Sequence, residues 1–311
     1  MRRLLVLVPL LVLAGCAKPG SDAGGPGPAP GQGQSFSARA QVVADAWRAA
    51  GVGEAWRTGF VPLQELTIPP DSGFTEETKQ AYQAGWYVAG TALGKDKPAD
   101  GTVRFADGTS LSAPLTSADE AYRAIDQGDP PCSSTPPPPP PSAGPDGAVG
   151  HPAPGGCTAL TVTGATLGTA TIRTSRGEAT VPAWQFTVAG LPKPVSRIAV
   201  APSSVAALPE PKVPPFASPG EVVAAQDLSK VDGATVTYRI VIGACDKNPR
   251  PLVYETDDVV VLGGAVDRST AGVCIELAKF EPVTTTLRKP LGTRVVLDVN
   301  SGRPLTINAG Q

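Results

Sequence analysis

Alternating apolar and polar residues dominate the second half of the chain, and this pattern predicts β-strands. Successive side chains of a strand point to opposite faces of a sheet, so a half-buried strand is apolar at every second position. The pattern predicts a hairpin over residues 169–188 and a further strand over 197–200. Beyond residue 220 it predicts four or five short strands, over residues 235–244, 253–262, 273–280, 283–287 and 294–300. We therefore expect the C-terminal region to be an all-β domain of sandwich or barrel type.

The N-terminal region combines helical and extended patterns. Apolar residues recur at helical spacing over residues 37–50, which predicts an amphipathic helix. Thr75 predicts the N-cap of a second helix over residues 76–84, and residues 117–120 form a capping box for a third helix. Residues 102–115 have the pattern of a hairpin with an Asp-Gly turn. The fold class predicted for the whole chain is mainly β, with a few short helices in an α+β N-terminal domain.

Proline and glycine mark the places where regular structure is expected to stop. The chain has 35 of each in 311 residues, well above the roughly 12% of an average protein. Residues 136–141 are all proline, within a low-complexity segment at 133–156 that predicts an exposed polyproline loop. We interpret this loop as a tolerated insertion, with docking in an aromatic groove of a partner as the alternative. Residues 207–219 predict a linker between domains at 36–206 and 220–311.

The start of the chain has the pattern of an export signal at residues 1–15. Two arginines precede ten apolar residues, and a bilayer-spanning helix needs roughly twenty. The sequence Leu13-Ala14-Gly15-Cys16 resembles the lipobox of bacterial lipoproteins, whose cysteine thiol receives acyl chains such as palmitate. The resemblance implies a mature chain that starts at Cys16 and is lipid-anchored at the outer, extracytoplasmic face of the cell membrane. The alternative is a plain secretory signal with an incidental cysteine.

A tether is predicted between the lipobox and the first helix. Residues 17–35 contain no large apolar side chain. They therefore cannot bury a core and are expected to be disordered. Treated as a glycine-rich coil, this stretch spans about 25 Å root-mean-square. Residues 16–35 are therefore predicted to be a lipidated cysteine and a tether that lifts the domains off the headgroup layer.

Charge and composition restrict the partners. The chain has 26 basic and 28 acidic residues, a net charge of −2, and no basic patch, so we expect no nucleic acid as a partner. Aromatic residues are only 5% of the chain, which argues against an extended carbohydrate-binding platform. The predicted partners are the membrane, through the lipid anchor, and an envelope protein. No cofactor is predicted.

The cysteines predict disulfides. Besides the lipobox cysteine, the chain has Cys132, Cys157, Cys245 and Cys274. An even number in an oxidising compartment favours disulfides, and three pairings are open. We favour Cys132–Cys157 and Cys245–Cys274 because each pair lies within one predicted domain. No two cysteines have zinc-site spacing, and the sole histidine, His151, lies in the proline-rich loop, so no metal site is predicted.

No catalytic motif is present in the sequence. There is no Gly-x-Ser-x-Gly elbow, no phosphate loop and no dinucleotide fingerprint. The remaining candidates are the carboxylates of Glu255, Asp257 and Asp258, which lie close together along the chain and would suit acid/base chemistry or calcium binding. A solvated turn is the favoured interpretation, with an acid/base hydrolase as the alternative. We assign no catalytic residue.

Two further groups of residues have a structural and a functional interpretation. Arg294 and Asp298 lie four positions apart in a predicted strand and so share a face; we expect a solvent-facing ion pair, with an anion site at Arg294 as the alternative. The four tryptophans would suit a ligand pocket, but Trp47 and Trp184 lie in apolar patterns that predict core packing. The four are Trp47, Trp56, Trp86 and Trp184.

Segments of the C-terminal half resemble a known family. Residues 181–188, Val-Pro-Ala-Trp-Gln-Phe-Thr-Val, and residues 288–298 with Gly302-Arg303-Pro304 resemble stretches that recur in uncharacterised secreted lipoproteins of actinobacteria. The resemblance implies no known activity and no catalytic residues. We predict a non-catalytic envelope lipoprotein with a protein-interaction or structural role. The alternatives are a carboxylate hydrolase and a lipoprotein that binds a small ligand between its domains.

Overall fold

The computed structural model describes residues 32–128, 158–206, 208, 210–216, 221–268, 274–275 and 277–308. Within them the protein is mainly β, as predicted. The helices are α1 (Gln32–Ala49), α2 (Gly53–Thr58), α3 (Glu76–Ala84) and α4 (Ala118–Arg123), and a short 3-10 helix lies at Pro202–Ser204. The predicted signal peptide, Cys16, the pair Cys132 and Cys157, His151 and the proline-rich loop lie outside the described residues.

Seven strands form a first sheet, sheet I. They are β1 (Thr67–Ile68), β2 (Tyr87–Ala89), β3 (Gly101–Phe105), β4 (Ser110–Ala113), β5 (Leu160–Thr174), β6 (Gly177–Val188) and β7 (Val195–Ile198). Strands β5 and β6 form the long predicted hairpin. One edge of β6 pairs with both β7 and β3, while β2 adds in parallel to β5. Strand β1 pairs with β7 at the border of the sheet, which places residues 67–68 opposite 196–197.

Six strands form a second sheet, sheet II. They are β8 (Val222–Asp232), β9 (Thr235–Gly243), β10 (Lys247–Glu255), β11 (Val259–Asp267), β12 (Ala278–Thr286) and β13 (Val295–Asp298). Their order is β10-β11-β8-β9-β12, with β13 parallel to β11. The sheet curls so that β10 approaches β12. Cys245 and Cys274, the pair favoured by their positions in the sequence, are joined by a disulfide with a Cα–Cα distance of 6.0 Å.

Several strands of sheet II differ from the sequence pattern. Strand β8 was not predicted because register shifts after Ala225 and Leu228 interrupt its two-residue alternation. The strand predicted over 253–262 is two strands, since the chain turns between Glu255 and Val259. The strands predicted over 273–280 and 283–287 are the single strand β12. It continues through its proline because it lies at the edge of the sheet.

Strand β11 is buried on both faces and separates two apolar cores. Val259 and Val261 belong to the core beneath helix α1, whereas Val260 and Leu262 belong to the core inside the curl of sheet II. This double burial explains why the strand is apolar at successive positions instead of alternating. Sheet I has two further cores, one of which packs under α3 and α4.

Helix α1 packs on sheet II, across the domain boundary that the sequence predicts. Phe36, Val43 and Trp47 are buried against β10 and β11. The helix begins at Gln32, so the last residues of the predicted tether at 16–35 are helical. The Phe36 ring is buried in the core and so stabilises the first turns of the helix. The apolar stripe of α1 was correctly predicted, but the stripe alone did not identify its partner sheet.

Arg39 fastens α1 to the end of sheet II. Its guanidinium donates to the carbonyl oxygens of Val299 at 2.9 Å, Pro214 at 2.7 Å and Asn300 at 2.5 Å. The cation also lies 4.9 Å from the ring centre of Phe216, a cation–π distance. Because burial disfavours its charged form, the pKa of Arg39 is lowered. Pro214 and Phe216 belong to the predicted linker, which is therefore bound to α1 through Arg39.

An extended segment at residues 60–64 joins the two sheets. The Leu63 amide donates to the carbonyl of Arg173 in β5, and the Ile307 amide donates to the carbonyl of Leu63. Ile307 forms a further bridge to Leu228 in β8. Backbone hydrogen bonds thus run without interruption from sheet I through residues 60–64 and the C-terminal residues to sheet II. We call residues 60–64 the connecting segment.

The caps of the two middle helices are as predicted. Thr75 and Ser117 each accept a backbone N–H of the first turn, and the side chains of Thr78 and Glu120 bond back to the cap residues. Both are reciprocal capping boxes. Helix α4 ends at Arg123. These caps matter for function because α3 and the end of α4 line the cleft described below.

We expect Arg39→Met to lower the free energy of unfolding by about 2–4 kcal/mol, because it leaves buried carbonyl oxygens without donors. Arg57→Met is the matched control, since Arg57 is exposed on α2. Urea unfolding followed by tryptophan fluorescence measures both variants. Equal free energies for Arg39→Met and Arg57→Met would contradict the assigned role of Arg39.

Candidate functional site

A cleft beside sheet I is the best candidate for a binding site. Its volume is about 760 Å³, within the range of small-molecule sites. It is lined by the loop around β1, by α3, β2 and β7, by the residues after α4, and by Ile307 and Asn308. The last two come from the C-terminal segment that bonds to sheet II. The cleft therefore lies at the junction that the connecting segment forms.

The end of helix α3 shapes one wall of the cleft. Gly85 ends the helix in the left-handed region, with φ at +69°, which glycine adopts without strain. A Cβ at this position would lie 2.5 Å from Cγ of Gln127. The amide of Gln127 donates to the carbonyl of Gly85 at 2.8 Å. The glycine thus permits the chain after α4 to close against α3 and complete the wall.

Arg197 is the principal charged group of the cleft. The pairing of β1 with β7 places it opposite Thr67, whose Oγ1 accepts from Nη1 at 2.9 Å. Among the described residues this is the only hydrogen bond of its side chain. Burial lowers the pKa of Arg197, and the nearby charge of Glu65 opposes this shift. The guanidinium is therefore partly desolvated, and most of its N–H donors make no hydrogen bond to a described residue.

Two tyrosines belong to the lining of the same cleft, and Tyr82 lies near Arg197. The Tyr82 hydroxyl makes a long 3.4 Å contact to the carbonyl of Thr67, and its ring lies 5.2 Å from that of Phe74. Burial, and then the charge of Glu65, raise the pKa of Tyr82 to about 12. Tyr87 is only 3% exposed, and its hydroxyl has no hydrogen-bond partner among the described residues. Burial also raises the pKa of Tyr87, so both phenols are protonated donors near neutral pH.

Apolar side chains make up much of the remaining lining. They include Ile68, Ile125 and Ile307. At the rim, the carboxylate of Asp71 is paired with Lys193 at 2.8 Å. An apolar floor with a few polar groups is suited to binding a small molecule. The arrangement offers hydrogen-bond donors, a cation and an apolar surface, which are the elements of recognition.

The carboxylates predicted as acid/base candidates occupy a different place and are ion-paired. Glu255 bonds Arg294 at 2.9 Å, and both side chains are under 10% exposed. Asp257 pairs with Lys289 at 2.9 Å. These residues line a separate charged cavity of about 400 Å³. The ion pairs hold the turn between β10 and β11 to the loop before β13.

Asp258 faces away from this cavity, toward helix α1. Its two carboxylate oxygens accept from Nε and Nη2 of Arg48, at 2.9 and 2.7 Å. The Arg48 contact, with a hydrogen bond from Thr256, lowers the pKa of Asp258 to about 2. A general acid near neutral pH needs a raised pKa. The geometry of the cluster therefore favours the interpretation as a structural turn over the hydrolase alternative.

The predicted pairing of Arg294 with Asp298 is wrong. Arg294 precedes β13 and turns toward Glu255. Asp298 is buried, and it accepts hydrogen bonds from the amides of Ala225 at 3.0 Å and Ser301 at 2.7 Å. The two side chains do not share a strand face, because β13 begins only after Arg294. Each therefore bonds to different partners. The anion site considered at Arg294 is occupied by the Glu255 carboxylate.

The tryptophans pack in the cores and none belongs to the lining of the cleft. Trp47 and Trp56 are in edge-to-face contact, with ring centres 5.4 Å apart. Trp184 is half-buried between the two cores of sheet I, and its Nε1 donates to the carbonyl of Thr116 at 3.0 Å. Trp86 packs against the core under α3. The core prediction for Trp47 and Trp184 is confirmed.

The sequence analysis did not single out the residues of the cleft. Arg197 lies more than a hundred residues after Tyr82 and Tyr87, and the three belong to no motif. Each has an ordinary place in its own element, and only the β1–β7 pairing and the fit of α3 bring them together. To predict this site from the sequence, one would have to know that β1 pairs with β7 in sheet I.

Comparison of the chain with family models, with curated proteins and with solved structures finds no match. The resemblance to secreted lipoproteins of actinobacteria therefore stays a prediction. Among the described residues, no helix is long and apolar enough to cross a membrane. In the same part of the chain, no three histidine, cysteine or acidic side chains converge as a metal-binding group.

We expect Tyr87→Phe to raise the free energy of unfolding by about 1 kcal/mol, because it removes a buried hydroxyl that has no partner. Tyr238→Phe is the matched control and should lower it by a similar amount. The buried Tyr238 hydroxyl donates to the carbonyl of Gly263 at 2.7 Å. Chemical denaturation compares the two variants. Destabilisation of similar size in both would show that the Tyr87 hydroxyl has a protein partner.

Proposed function

We propose that this chain is a non-catalytic, lipid-anchored protein of the extracytoplasmic face of the cell membrane, and that it binds a small molecule in the cleft. The observation that carries the binding role is a cleft of about 760 Å³ that combines apolar side chains with the half-buried guanidinium of Arg197. Within the described residues, the Arg197 side chain makes a single hydrogen bond, to Thr67. A concave, largely apolar site with a few convergent polar groups is typical of small-molecule binding.

The location rests on the sequence at the start of the chain. Leu13-Ala14-Gly15-Cys16 has the lipobox pattern after a basic head and an apolar run. Residues 17–31 separate Cys16 from the start of α1, which supplies a spacer between the anchor and the cleft. A single acyl chain holds a protein weakly, so the two or three chains of a bacterial lipoprotein account for stable attachment. An envelope protein as a further partner stays a prediction.

The absence of a catalytic role is proposed from the charge pairs. The carboxylates of Glu255, Asp257 and Asp258 are each bonded to a different cation. Catalytic acids and bases are usually poised near the working pH by burial or by a like charge. The lowered pKa values of Asp257 and Asp258 are opposite to that arrangement. The described residues therefore favour binding over acid/base turnover.

The anchor is tested by Cys16→Ala in the full chain. We expect the variant to leave the membrane fraction and to lose labelling by a fatty-acid analogue, since only the thiol can carry the thioether-linked lipid. Ser21→Ala is the control and should remain labelled and membrane-bound. A Cys16→Ala protein that stays in salt-washed membranes would contradict the proposed location.

The binding role is tested by ligand-observed NMR with the purified full chain. The probes are phenyl-bearing fragments, both acidic and neutral, because the cleft combines aromatic and isoleucine side chains with donors. Ala124 lines the cleft, so Ala124→Trp should fill it and lower the affinity at least about tenfold. Ala92→Trp, at an exposed position, is the control. Absence of binding, or binding that Ala124→Trp leaves unchanged, would contradict the cleft as the ligand site.

A further inference from the structure

Arg197 is the group in the cleft that most restricts the chemistry of a ligand. It is half-buried, and its charge is only partly balanced, because Glu65 lies close enough to act on its pKa while the hydrogen-bond partner of the guanidinium is Thr67. A desolvated guanidinium with unused N–H donors is most stabilised by an anion that accepts two parallel hydrogen bonds. Such a pair is stronger than a hydrogen bond between neutral groups.

The hydroxyl of Tyr82 adds a second donor near Arg197. Tyr82 lines the cleft, and the charge of Arg197 acts on its pKa. Its present contact to the carbonyl of Thr67 is long, at 3.4 Å, so a carboxylate oxygen would be a stronger acceptor for it. The Tyr87 hydroxyl is sealed from solvent and is not counted as a donor to the cleft. The cleft thus presents donors from two side chains and suits an acceptor with more than one oxygen.

The charges around Arg197 favour a ligand with a single negative charge. Besides Arg197, the charged residues of the lining are Glu65, Asp71 and Lys79. Glu65 lies near Arg197 and opposes a second anion, although its exposure to water screens this repulsion. Asp71 is already neutralised by Lys193. A cationic ligand would be repelled by Arg197, whose charge Glu65 balances only in part. A monocarboxylate matches this balance better than a doubly charged phosphate does.

The remaining lining determines the rest of the ligand. Ile68, Ile125 and Ile307 present apolar surface, and the rings of Phe74 and Tyr82 lie side by side with their centres 5.2 Å apart. Burial of an apolar body against these side chains stabilises the complex, because it removes apolar surface from water. An aromatic or branched aliphatic body fits this surface. Such a body also excludes water from the Arg197 contact and strengthens it.

We propose that the cleft binds a small monocarboxylate with an apolar body, its carboxylate held by Arg197 and the Tyr82 hydroxyl. This inference rests on the proposed function, because it names the ligand class of the same cleft. Arg197 and Tyr82 are the binding residues, and Thr67 positions Arg197 through its hydroxyl. The body of the ligand packs between Ile68, Ile125 and the Phe74–Tyr82 ring pair.

Isothermal titration calorimetry with 4-phenylbutyrate and its neutral analogue 4-phenylbutyramide tests the proposal on the unmodified protein. We expect the acid to bind at least about tenfold more tightly than the amide, as the loss of a charged pair predicts. Equal affinity for acid and amide would overturn the carboxylate assignment while leaving the small-molecule function in place. No binding of either probe, together with no fragment binding by NMR, would overturn both.

Variants identify the residues. Arg197→Gln should reduce the affinity for 4-phenylbutyrate at least about tenfold and leave that for the amide nearly unchanged. Arg104→Gln, at an exposed position of β3, is the control. Tyr82→Phe, which keeps the ring and removes the hydroxyl, should weaken binding of the acid several-fold. A Tyr82→Phe protein that binds the acid with unchanged affinity would exclude the hydroxyl from the site.

Discussion

The connecting segment at residues 60–64 is the constraint on which the arrangement of the two sheets depends. Leu63 donates its amide to the carbonyl of Arg173 in sheet I, and its carbonyl accepts from the amide of Ile307 in the C-terminal segment. Ile307 in turn bridges to β8. Because Gln64 and Ile307 of this link line the cleft, the link between the sheets also positions one wall of the binding site. A small ligand at this junction would contact strands of sheet I and the C-terminal segment that bonds to sheet II, and so stabilise their association.

Local features of the fold were predictable from sequence, whereas its long-range partners were not. The caps at Thr75 and Ser117 depend on neighbours a few residues away, and so does the β5–β6 turn; all three were correctly predicted. The partner of α1 was not, because an apolar stripe specifies burial but not the surface that buries it. Strand β8 was missed since its bulges break the period on which strand prediction relies.

The candidate site illustrates the same limit in its chemistry. Acidic residues adjacent in sequence, at 255–258, drew attention as a catalytic cluster, yet each carboxylate bonds a different cation and serves packing. The cleft instead combines Arg197 with Tyr82, more than a hundred residues apart along the chain. A half-buried cation with few protein partners in an apolar cleft indicates a ligand more directly than a cluster of mutually paired charges does.

The most direct measurement of the central claim is the NMR signal of the arginine Nε–H groups in the full chain, with the Arg197 signal assigned by its loss in Arg197→Gln. On addition of 4-phenylbutyrate, the account predicts that the Arg197 signal shifts and exchanges more slowly with water, because its donors become bonded to the carboxylate. The signals of Arg39 and Arg48, which are already bonded within the protein, should not move. A saturating carboxylate that leaves the Arg197 signal unchanged, or that shifts the arginine signals uniformly, would contradict the account.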